Sequence, residues 1–283
     1  MTVLEVIKRS SEFLTRKEVE SPRLQAELLL AHVLQLPRLK LYLNFERTLT
    51  ETEVEVLRKL VKRRGDREPL QHILGSTSFC GLEMEVNGSV LIPRPETELL
   101  AERAWNFLSP LTSPAVLDLG TGTGCLAITL AVKNPQAAVH ALDISNAALE
   151  VARLNAARHQ VAERIQFHAS DGFAALPPEV CFDLVVSNPP YIPSAEIEKL
   201  EPEVRDYDPK LALDGGPDGL VFYRRLAVEA PPFLTAGGVI MLEFGDGQEP
   251  ALRDIFASEK WIVDEVVPDY SARPRILIAR RPK

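Results

Sequence analysis

The stretch Asn188-Pro189-Pro190-Tyr191 carries side chains that could hold a planar nitrogen group. The carboxamide oxygen of Asn188 can accept one N–H of an amide or an aromatic amine, and the carbonyl of Pro189 can accept the other. Pro190 stiffens that carbonyl, and Tyr191 can stack on the flat face of the group. Because such a nitrogen is a weak nucleophile, these contacts suit its methylation by orienting it towards an electrophilic carbon. The alternative is a proline-rich turn that ends a strand, with Tyr191 as ordinary packing.

The residues before this stretch place it in a fold. Phe182-Asp183-Leu184-Val185-Val186-Ser187 is an apolar run typical of a strand buried on both faces of a parallel sheet. The two prolines remove backbone donors, so the strand cannot continue past Asn188. The candidate residues therefore lie at the carboxyl end of a strand, where open α/β sheets bind ligands.

A glycine-rich turn precedes this strand in the chain. The strand Ala115–Leu119 leads into Gly120-Thr121-Gly122-Thr123-Gly124, and a helix is predicted from Cys125 to Val132. Such a turn lets the backbone approach a ligand closely and directs free N–H groups at it. A dinucleotide fingerprint would place a third glycine at position 125, which is Cys125 here. The loop therefore favours an adenosine-type ligand without a phosphate.

Asp143 ends the next predicted strand, Val139–Asp143, and follows Gly120 by 23 residues. A carboxylate at about this spacing bridges ribose hydroxyls in nucleotide-binding folds. The alternative is that Asp143 caps the following helix, a role that Ser145 could fill instead.

A third strand, Ile165–His168, is followed by Ser170-Asp171-Gly172-Phe173. An acid and an aromatic ring at this position can bracket an adenine, so Asp171, Gly172 and Phe173 are candidate cofactor residues. Core packing is the alternative for Phe173, and the sequence does not separate the two.

Alternation of strands and helices from residue 115 predicts an α/β fold with a doubly wound, Rossmann-like sheet. Gly237–Phe244 is a fifth parallel strand, and Ile262–Val266 with Arg275–Ala279 can close the sheet as an antiparallel pair, giving seven strands. The long loop 206–216 is a candidate lid or substrate wall beside Asn188.

Residues 1–72 show helical spacing of apolar residues and predict an N-terminal helical bundle. Ser21-Pro22 and the capping box of Thr50 with Glu53 predict helix starts. Residues 73–92, broken by Asn87-Gly88, predict a β-hairpin connector. The predicted domains are thus 1–72, 73–92 and 93–283.

Charge is unevenly distributed along the 283 residues, whose net charge is −8. Residues 1–72 contain 14 Lys and Arg against 11 Asp and Glu, a net +3, which leaves −11 for residues 73–283. An acidic catalytic half argues against tracking a long phosphate backbone, so no direct nucleic-acid contact is expected. Three cysteines without a CxxC pair and five scattered histidines predict neither disulfides nor a metal site.

No apolar run reaches membrane-spanning length and no signal-peptide core is present, so a cytoplasmic protein without membrane contact is expected. The sequence shows neither a coiled coil nor a swapped strand, and a monomer is expected.

The chain resembles the release-factor glutamine methyltransferases (the PrmC/HemK family) over nearly its whole length. The shared motifs are Arg67–Gly75, Ile92-Pro93-Arg94-Pro95-Glu96-Thr97-Glu98, Asp118–Gly124, Asn188–Tyr191 and Leu213–Leu220. Asn-Pro-Pro-Tyr beside a glycine loop occurs in many amino-methyltransferases. The Pro-Arg-Pro-Glu-Thr-Glu segment joined to a helical bundle is much more specific to this family.

The resemblance implies a class I methyltransferase domain that transfers a methyl group from S-adenosylmethionine, leaving S-adenosylhomocysteine. The acceptor would be the side-chain nitrogen (N5) of the glutamine in the Gly-Gly-Gln motif of class 1 peptide chain release factors, a modification that modulates translation termination. Gly120 to Gly124 and Asp143 would contact the cofactor, with Asn188 at its meeting point with the substrate. Asn188 to Tyr191 would hold the glutamine, with Arg94 and Glu96 as further substrate-binding residues. Family members often carry tryptophan where this chain has Gly172.

Two other functions remain open at this point. An adenine-N6 methyltransferase acting on nucleic acid would use the same pocket for a flat amine, although the acidic catalytic half counts against it. A non-catalytic cofactor-binding or scaffold protein would use the helical bundle as its working part.

Overall fold

The computed structural model describes residues 1–282, which form two compact units. Unit 1 comprises Met1–Ser76 together with Glu201–Tyr207, and unit 2 comprises Thr77–Leu200 and the described residues from Asp208 onwards. The helices are α1 (Val3–Arg16), α2 (Pro22–Leu34), α3 (Arg38–Leu41), α4 (Glu51–Gly65), α5 (Leu70–Leu74), α6 (Pro95–Leu108), α7 (Cys125–Lys133), α8 (Asn146–Arg158), α9 (Pro202–Arg205), α10 (Lys210–Leu213), α11 (Val221–Glu229) and α12 (Glu249–Ser258). The strands are β1 (Ser76–Phe79), β2 (Leu82–Glu85), β3 (Ala115–Leu119), β4 (Ala138–Asp143), β5 (Ile165–Ala169), β6 (Phe182–Ser187), β7 (Leu234–Glu243), β8 (Ile262–Pro268) and β9 (Pro274–Arg280).

Unit 1 is helical, and its first and fourth helices both begin with a capping box. Thr50 accepts from the Glu53 backbone N–H, and the Glu53 carboxylate accepts from the Thr50 backbone in return, as the sequence predicts. Helix α2 begins at Pro22 as expected, but Ser21 has a φ of +48° and makes no capping hydrogen bond. Buried side chains from the long helices form the core of the unit, among them Val3, Leu14, Leu29, Leu30 and Leu57.

Seven residues far along the chain complete unit 1. The carboxylate of Glu203 accepts from Arg64 at 2.6 Å and from Arg67 at 2.6 and 2.7 Å. The Tyr207 hydroxyl donates to the backbone carbonyl of Asp66 at 3.0 Å. The sequence pattern placed all of 93–283 in one domain, whereas 201–207 belongs to unit 1. The reason is electrostatic: Arg64 is almost fully buried and needs an anion beside it.

Unit 2 contains a seven-stranded sheet in the order β5-β4-β3-β6-β7-β9-β8. Strands β5, β4, β3, β6 and β7 are parallel, and β9 and β8 pair antiparallel at the end. The α/β fold and the seven strands predicted from the sequence are confirmed. Adjacent strand residues face opposite cores, with Val116, Val186 and Met241 on one side of the sheet and Leu117, Val185 and Ile240 on the other. Burial on both faces explains why these strands are mostly apolar.

A separate hairpin precedes the sheet, and its turn differs from the prediction. Strands β1 and β2 are joined at Cys80-Gly81, both of which have positive φ (50° and 78°). The sequence suggested a break at Asn87-Gly88, which instead forms a local turn closed by the Asn87 side chain on the Ser89 N–H. An asparagine side chain can bond its own backbone two residues on, so Asn-Gly is not specific to hairpins.

Strand register aligns the functional ends of the sheet. Leu119 is opposite Leu142, Asp143 is opposite Ala169, and Ser187 is opposite Leu242. The residues that follow β3, β4, β5, β6 and β7 therefore lie along one edge, and it is there that the candidate site is found.

Candidate active site

A cavity in unit 2 lies at the carboxyl ends of the parallel strands. Its lining includes nine of the residues that the sequence singles out: Gly120, Gly122, Asp143, Asp171, Gly172, Phe173, Asn188, Pro189 and Pro190. The other six, Thr121, Thr123, Gly124, Tyr191, Arg94 and Glu96, are not part of the lining.

The glycine loop offers the cavity open space. Gly120 and Gly122 have φ values of 73° and 54°, and a Cβ built on either meets no atom within 4 Å. Three N–H groups of the loop, which the sequence predicts to be free for a ligand, are already hydrogen-bonded. The N–H groups of Gly120 and Thr121 donate to the Leu142 carbonyl, and that of Gly122 donates to Asp143. Because these N–H groups are bonded to the end of β4, they cannot bind an anion. The loop, called the glycine cradle below, instead provides open space for a ligand.

Thr121, Thr123 and Gly124 shape the loop from inside. The Thr121 hydroxyl donates to the fully buried Asp118 at 2.6 Å, and the Thr123 carbonyl accepts from Asn155 at 3.0 Å. A Cβ on Gly124 would come within 2.9 Å of Ile128. Burial raises the pKa of Asp118 to about 7 although Thr121 and the Ala127 N–H donate to it. These residues hold the cradle in place without lining it.

Asp143 is positioned by two backbone donors. Its two carboxylate oxygens accept from the Gly122 and Ser145 N–H groups, each at 2.9 Å. The next helix is capped by Ser145, whose hydroxyl accepts from Ala148, so Asp143 is not needed as the cap. Burial raises the pKa of Asp143 above its usual value, while these donors lower it. Each oxygen keeps a lone pair with which to accept from a ligand hydroxyl.

The wall at Gly172 contains a residue that the sequence did not suggest, Arg225 of α11. Its guanidinium donates to the side chain and the backbone carbonyl of Asp171 and to Glu229 at 2.7 Å, and it lines the cavity. Phe173 is buried in the core, where it stacks on Phe233 with 4.9 Å between ring centroids. Phe173 therefore does pack in the core while also lining the cavity. No local sequence pattern links Arg225 to Asp171, which lies 54 residues earlier.

Asn188 is held by a residue of α6. Its carboxamide nitrogen donates to the hydroxyl of Thr97 at 3.1 Å, which leaves the carboxamide oxygen for a ligand. Glu243 ends the neighbouring strand β7, is only 1% exposed, and lies close to the side chains of Thr97 and Asn188. Burial raises the pKa of its carboxyl to about 7, although these two side chains lower it. Neither Thr97 nor Glu243 was predicted; a charged residue at the end of an apolar strand is the one signal that could have indicated Glu243.

Three of the predicted site residues, Tyr191, Arg94 and Glu96, lie outside the lining of the cavity. Tyr191 packs against the core on the side of the sheet that contains Leu117 and Val185, called the second core below, and its carbonyl accepts from Gln248 at 2.9 Å. Burial raises the pKa of the Tyr191 hydroxyl to about 12. Arg94 is paired at 2.8 Å with Asp208, whose side chain is fully buried. Glu96 lies in the first turn of α6, close enough to raise the pKa of Glu243.

The segment after Tyr207 forms one wall, as the sequence suggested for the loop 206–216. Pro209, Leu211 and Ala212 line the cavity, and Leu211 is 54% exposed. On another side, Ser89–Leu91 contribute, although the sequence pattern marked this stretch only as a connector.

Within residues 1–282, no group of three or more His, Cys, Asp or Glu side chains could hold a metal ion. A helix long and apolar enough to cross a membrane is likewise not found in this part of the chain.

Both units are similar to known protein families. Residues 5–75 match the family model of the PrmC N-terminal domain, and residues 96–201 match that of the methyltransferase small domain. The release factor glutamine methyltransferase of Chlorobaculum tepidum is 45% identical over 282 residues, covering 97% of this chain and 95% of the relative. That of Geobacter sulfurreducens is 45% identical over 256 residues, covering 90% and 88%. A similar fold is found in the solved structure of the Thermus thermophilus 16S rRNA N2 G1207 methyltransferase in complex with AdoMet and guanosine. The two structures superpose with a TM-score of 0.51 at 23% sequence identity. The match covers 73% of this chain and 50% of that one.

The sheet order, the glycine cradle and the strand-end cavity define a methyltransferase with a Rossmann-like fold. Two relatives align with most of its length, and both units match their family models. The chain belongs to the release factor glutamine methyltransferase family.

Proposed function

We propose that this protein transfers a methyl group from S-adenosylmethionine to the side-chain amide nitrogen of the glutamine in the Gly-Gly-Gln motif of peptide chain release factors. The observation that carries the proposal is that Asn188, Pro189 and Pro190 line the same cavity as Gly120 and Asp143. One end of the cavity thus has acceptors for an amide, and the other has space and a carboxylate for a nucleoside. Near full-length relatives that carry the activity in their names support it.

The residues present suit the cofactor. Gly120 and Gly122 leave room that any Cβ would fill, and Asp143 has acceptor capacity for ribose hydroxyls. Asp171, Gly172 and Phe173 would lie at the adenine, together with Arg225. When bound, S-adenosylmethionine supplies an electrophilic methyl group on a sulfonium leaving group.

The protein's own contribution is orientation. The Asn188 oxygen would accept one N–H of the glutamine amide, and the Pro189 carbonyl would accept the other. Both acceptors stabilise the positive charge that develops on the nitrogen as the N–C bond forms and the S–C bond breaks; the methylated nitrogen then releases one proton to solvent. Pro190 keeps the backbone stiff, and Tyr191, packed against the second core, anchors the end of the motif.

Unit 1 would recognise the release factor, since the chemistry lies wholly in unit 2. Arg94 and Glu96 are proposed to contribute to substrate binding from outside the cavity lining. Arg94 is held there by its ion pair with Asp208. The protein is proposed to act as a cytoplasmic monomer without direct contact to nucleic acid.

The proposal is tested by measuring methyl transfer from labelled S-adenosylmethionine to three acceptors: a Gly-Gly-Gln release factor, its Gln→Ala variant, and duplex DNA. Label on the wild-type factor alone would establish both the reaction and the acceptor residue. Label on DNA would replace the proposal with adenine-N6 methylation, and no label on any acceptor would contradict both.

A further inference from the structure

The carboxylate of Glu243 lies behind the candidate catalytic amide rather than in the cavity. Glu243 is the last residue of β7, and register places it beside Asn188, because Leu242 is opposite Ser187. Its backbone carbonyl accepts from the Tyr223 hydroxyl at 2.8 Å, which fixes the strand end. The carboxylate oxygen Oε2 is buried without a hydrogen-bond partner within residues 1–282. A buried carboxylate with spare acceptor capacity is costly and calls for an explanation.

The groups around Glu243 form a directed chain of hydrogen bonds. The Asn188 carboxamide nitrogen donates to the Thr97 hydroxyl oxygen at 3.1 Å. Since a hydroxyl has one proton, Thr97 is then free to donate that proton onwards, and Glu243 is the acceptor it approaches. An ionised carboxylate can only accept, so the direction of the whole chain is set from its buried end.

We infer that Glu243, acting through Thr97, fixes which end of the Asn188 carboxamide faces the cavity. With Glu243 ionised, Thr97 must point its proton inwards, the Asn188 nitrogen must face Thr97, and the oxygen faces the cavity. A protonated Glu243, or a glutamine in its place, can also donate to the Thr97 hydroxyl; Thr97 can then donate to the Asn188 oxygen, and the carboxamide can turn its nitrogen to the cavity. A donor there would repel the N–H of a glutamine amide. Glu243 and Thr97 are thus positioning residues; the inference rests on the proposed methylation of an amide.

Other charged groups face Glu243 from each neighbouring element. Burial raises the pKa of its carboxyl to about 7; Arg275 on β9 lowers that pKa, and Glu96 on α6 raises it. Tyr191 and Tyr223 also lie close, where burial raises the pKa of both hydroxyls and the negative charge of Glu243 adds to the effect. Glu243 is therefore mostly ionised at pH 8 and mostly protonated at pH 6, so the orienting negative charge is lost as the pH falls through about 7.

The experiment measures kcat and KM between pH 6 and 8.5 for the wild type and the isosteric variant Glu243→Gln. We expect wild-type kcat to be about tenfold lower at pH 6 than at pH 8, because a carboxyl with a pKa near 7 is mostly protonated at pH 6. In Glu243→Gln we expect kcat to fall at least tenfold and this pH dependence to disappear. The Kd for S-adenosylhomocysteine should stay within twofold. Glu265→Gln, on the half-exposed edge of β8, is the control for the same chemical change.

Variants of Thr97 test the same inference independently of pH. Thr97→Ser keeps the hydroxyl and should retain turnover, whereas Thr97→Val should lose as much kcat as Glu243→Gln. The double variant should lose no more than either single change, because the two residues act as one unit. Additive losses, a Glu243→Gln enzyme with the wild-type pH profile, or a kcat within twofold of wild type would overturn the inference and leave the proposed function standing. Absence of methyl transfer in the wild type would instead overturn the proposed function.

Discussion

Gly172 lies directly against the guanidinium of Arg225: a Cβ built on Gly172 would be 2.5 Å from Arg225 Nη2 and 2.9 Å from its Cζ. The donors of Arg225 are taken up along its edge by Asp171 and Glu229. A guanidinium held in this way leaves its flat face available for stacking. It thus occupies the space that a side chain at position 172 would need.

Arg225→Ala should therefore weaken cofactor binding. We expect the Kd for S-adenosylhomocysteine to rise about tenfold, or roughly 1.4 kcal/mol, since stacking of a guanidinium on a purine would be lost. Isothermal titration calorimetry measures this directly. Arg224→Ala, the neighbour that pairs with the exposed Asp218, is the matched control and should bind normally. An unchanged Kd in Arg225→Ala would show that the guanidinium only braces the loop.

Substitution of Asn188 should chiefly reduce turnover, whereas substitution of Asp143 should chiefly reduce affinity for S-adenosylhomocysteine. Asn188→Ala should lose most turnover while the Kd for S-adenosylhomocysteine stays within about threefold, because its amide faces the substrate end. Asp143→Ala should raise that Kd at least tenfold, since two ligand hydroxyls would lose their acceptor. Equilibrium binding and single-turnover kinetics on both variants separate the two effects. Equal loss of binding and turnover in Asn188→Ala would indicate a structural role.

Gly215 permits a close approach of two backbone segments behind Tyr191. A Cβ on Gly215 would lie 2.8 Å from the Cα of Tyr191 and 2.8 Å from that of Gly219. Gly215→Ala should destabilise unit 2 by about 1–3 kcal/mol and reduce turnover, because backbone has to shift. Gly237→Ala is the control, since a Cβ there meets no atom within 4 Å. Urea unfolding of both variants makes the comparison; equal stability would mean that the segments move apart at little cost.

The sheet and one half of the site could be predicted from the sequence. Apolar strands that stop at Leu119, Asp143 and Asn188 must bring those ends to one edge, because parallel strands align their carboxyl ends. The spacing of Gly120 and Asp143 is then enough to predict a nucleoside site at that edge.

The other half depends on side chains supplied by helices. Thr97 reaches Asn188 from α6 across 91 positions of sequence, and Arg225 reaches Asp171 from α11 across 54. Such pairings leave no local periodicity, because a helix presents one of several faces and only packing decides which. The hydrogen bonds within the glycine loop were missed for a similar reason: they depend on the end of β4.

Glu203 should matter more to unit 1 than the adjacent Glu201. Glu203→Ala would leave Arg64, whose side chain is 5% exposed, without its carboxylate, and we expect a cost of about 2–4 kcal/mol. Glu201, whose side chain is 78% exposed, pairs within the described residues only with Arg67, so Glu201→Ala should cost under about 1 kcal/mol. Hydrogen–deuterium exchange in α4 reports the local loss. Equal protection of α4 in the two variants would contradict the assignment.

The membership of Glu201–Tyr207 in unit 1 also sets the order in which a nascent chain can mature. When Ser76 has left the ribosome, Arg64 and Arg67 are present but their carboxylate partner has not been translated. At about 5–20 residues per second, the wait until Tyr207 emerges is of the order of ten seconds. During that interval the guanidinium groups of Arg64 and Arg67 lack the carboxylate with which they pair in the complete unit. Vectorial synthesis therefore leaves the first unit to be finished late, after most of the parallel strands of the second have already emerged.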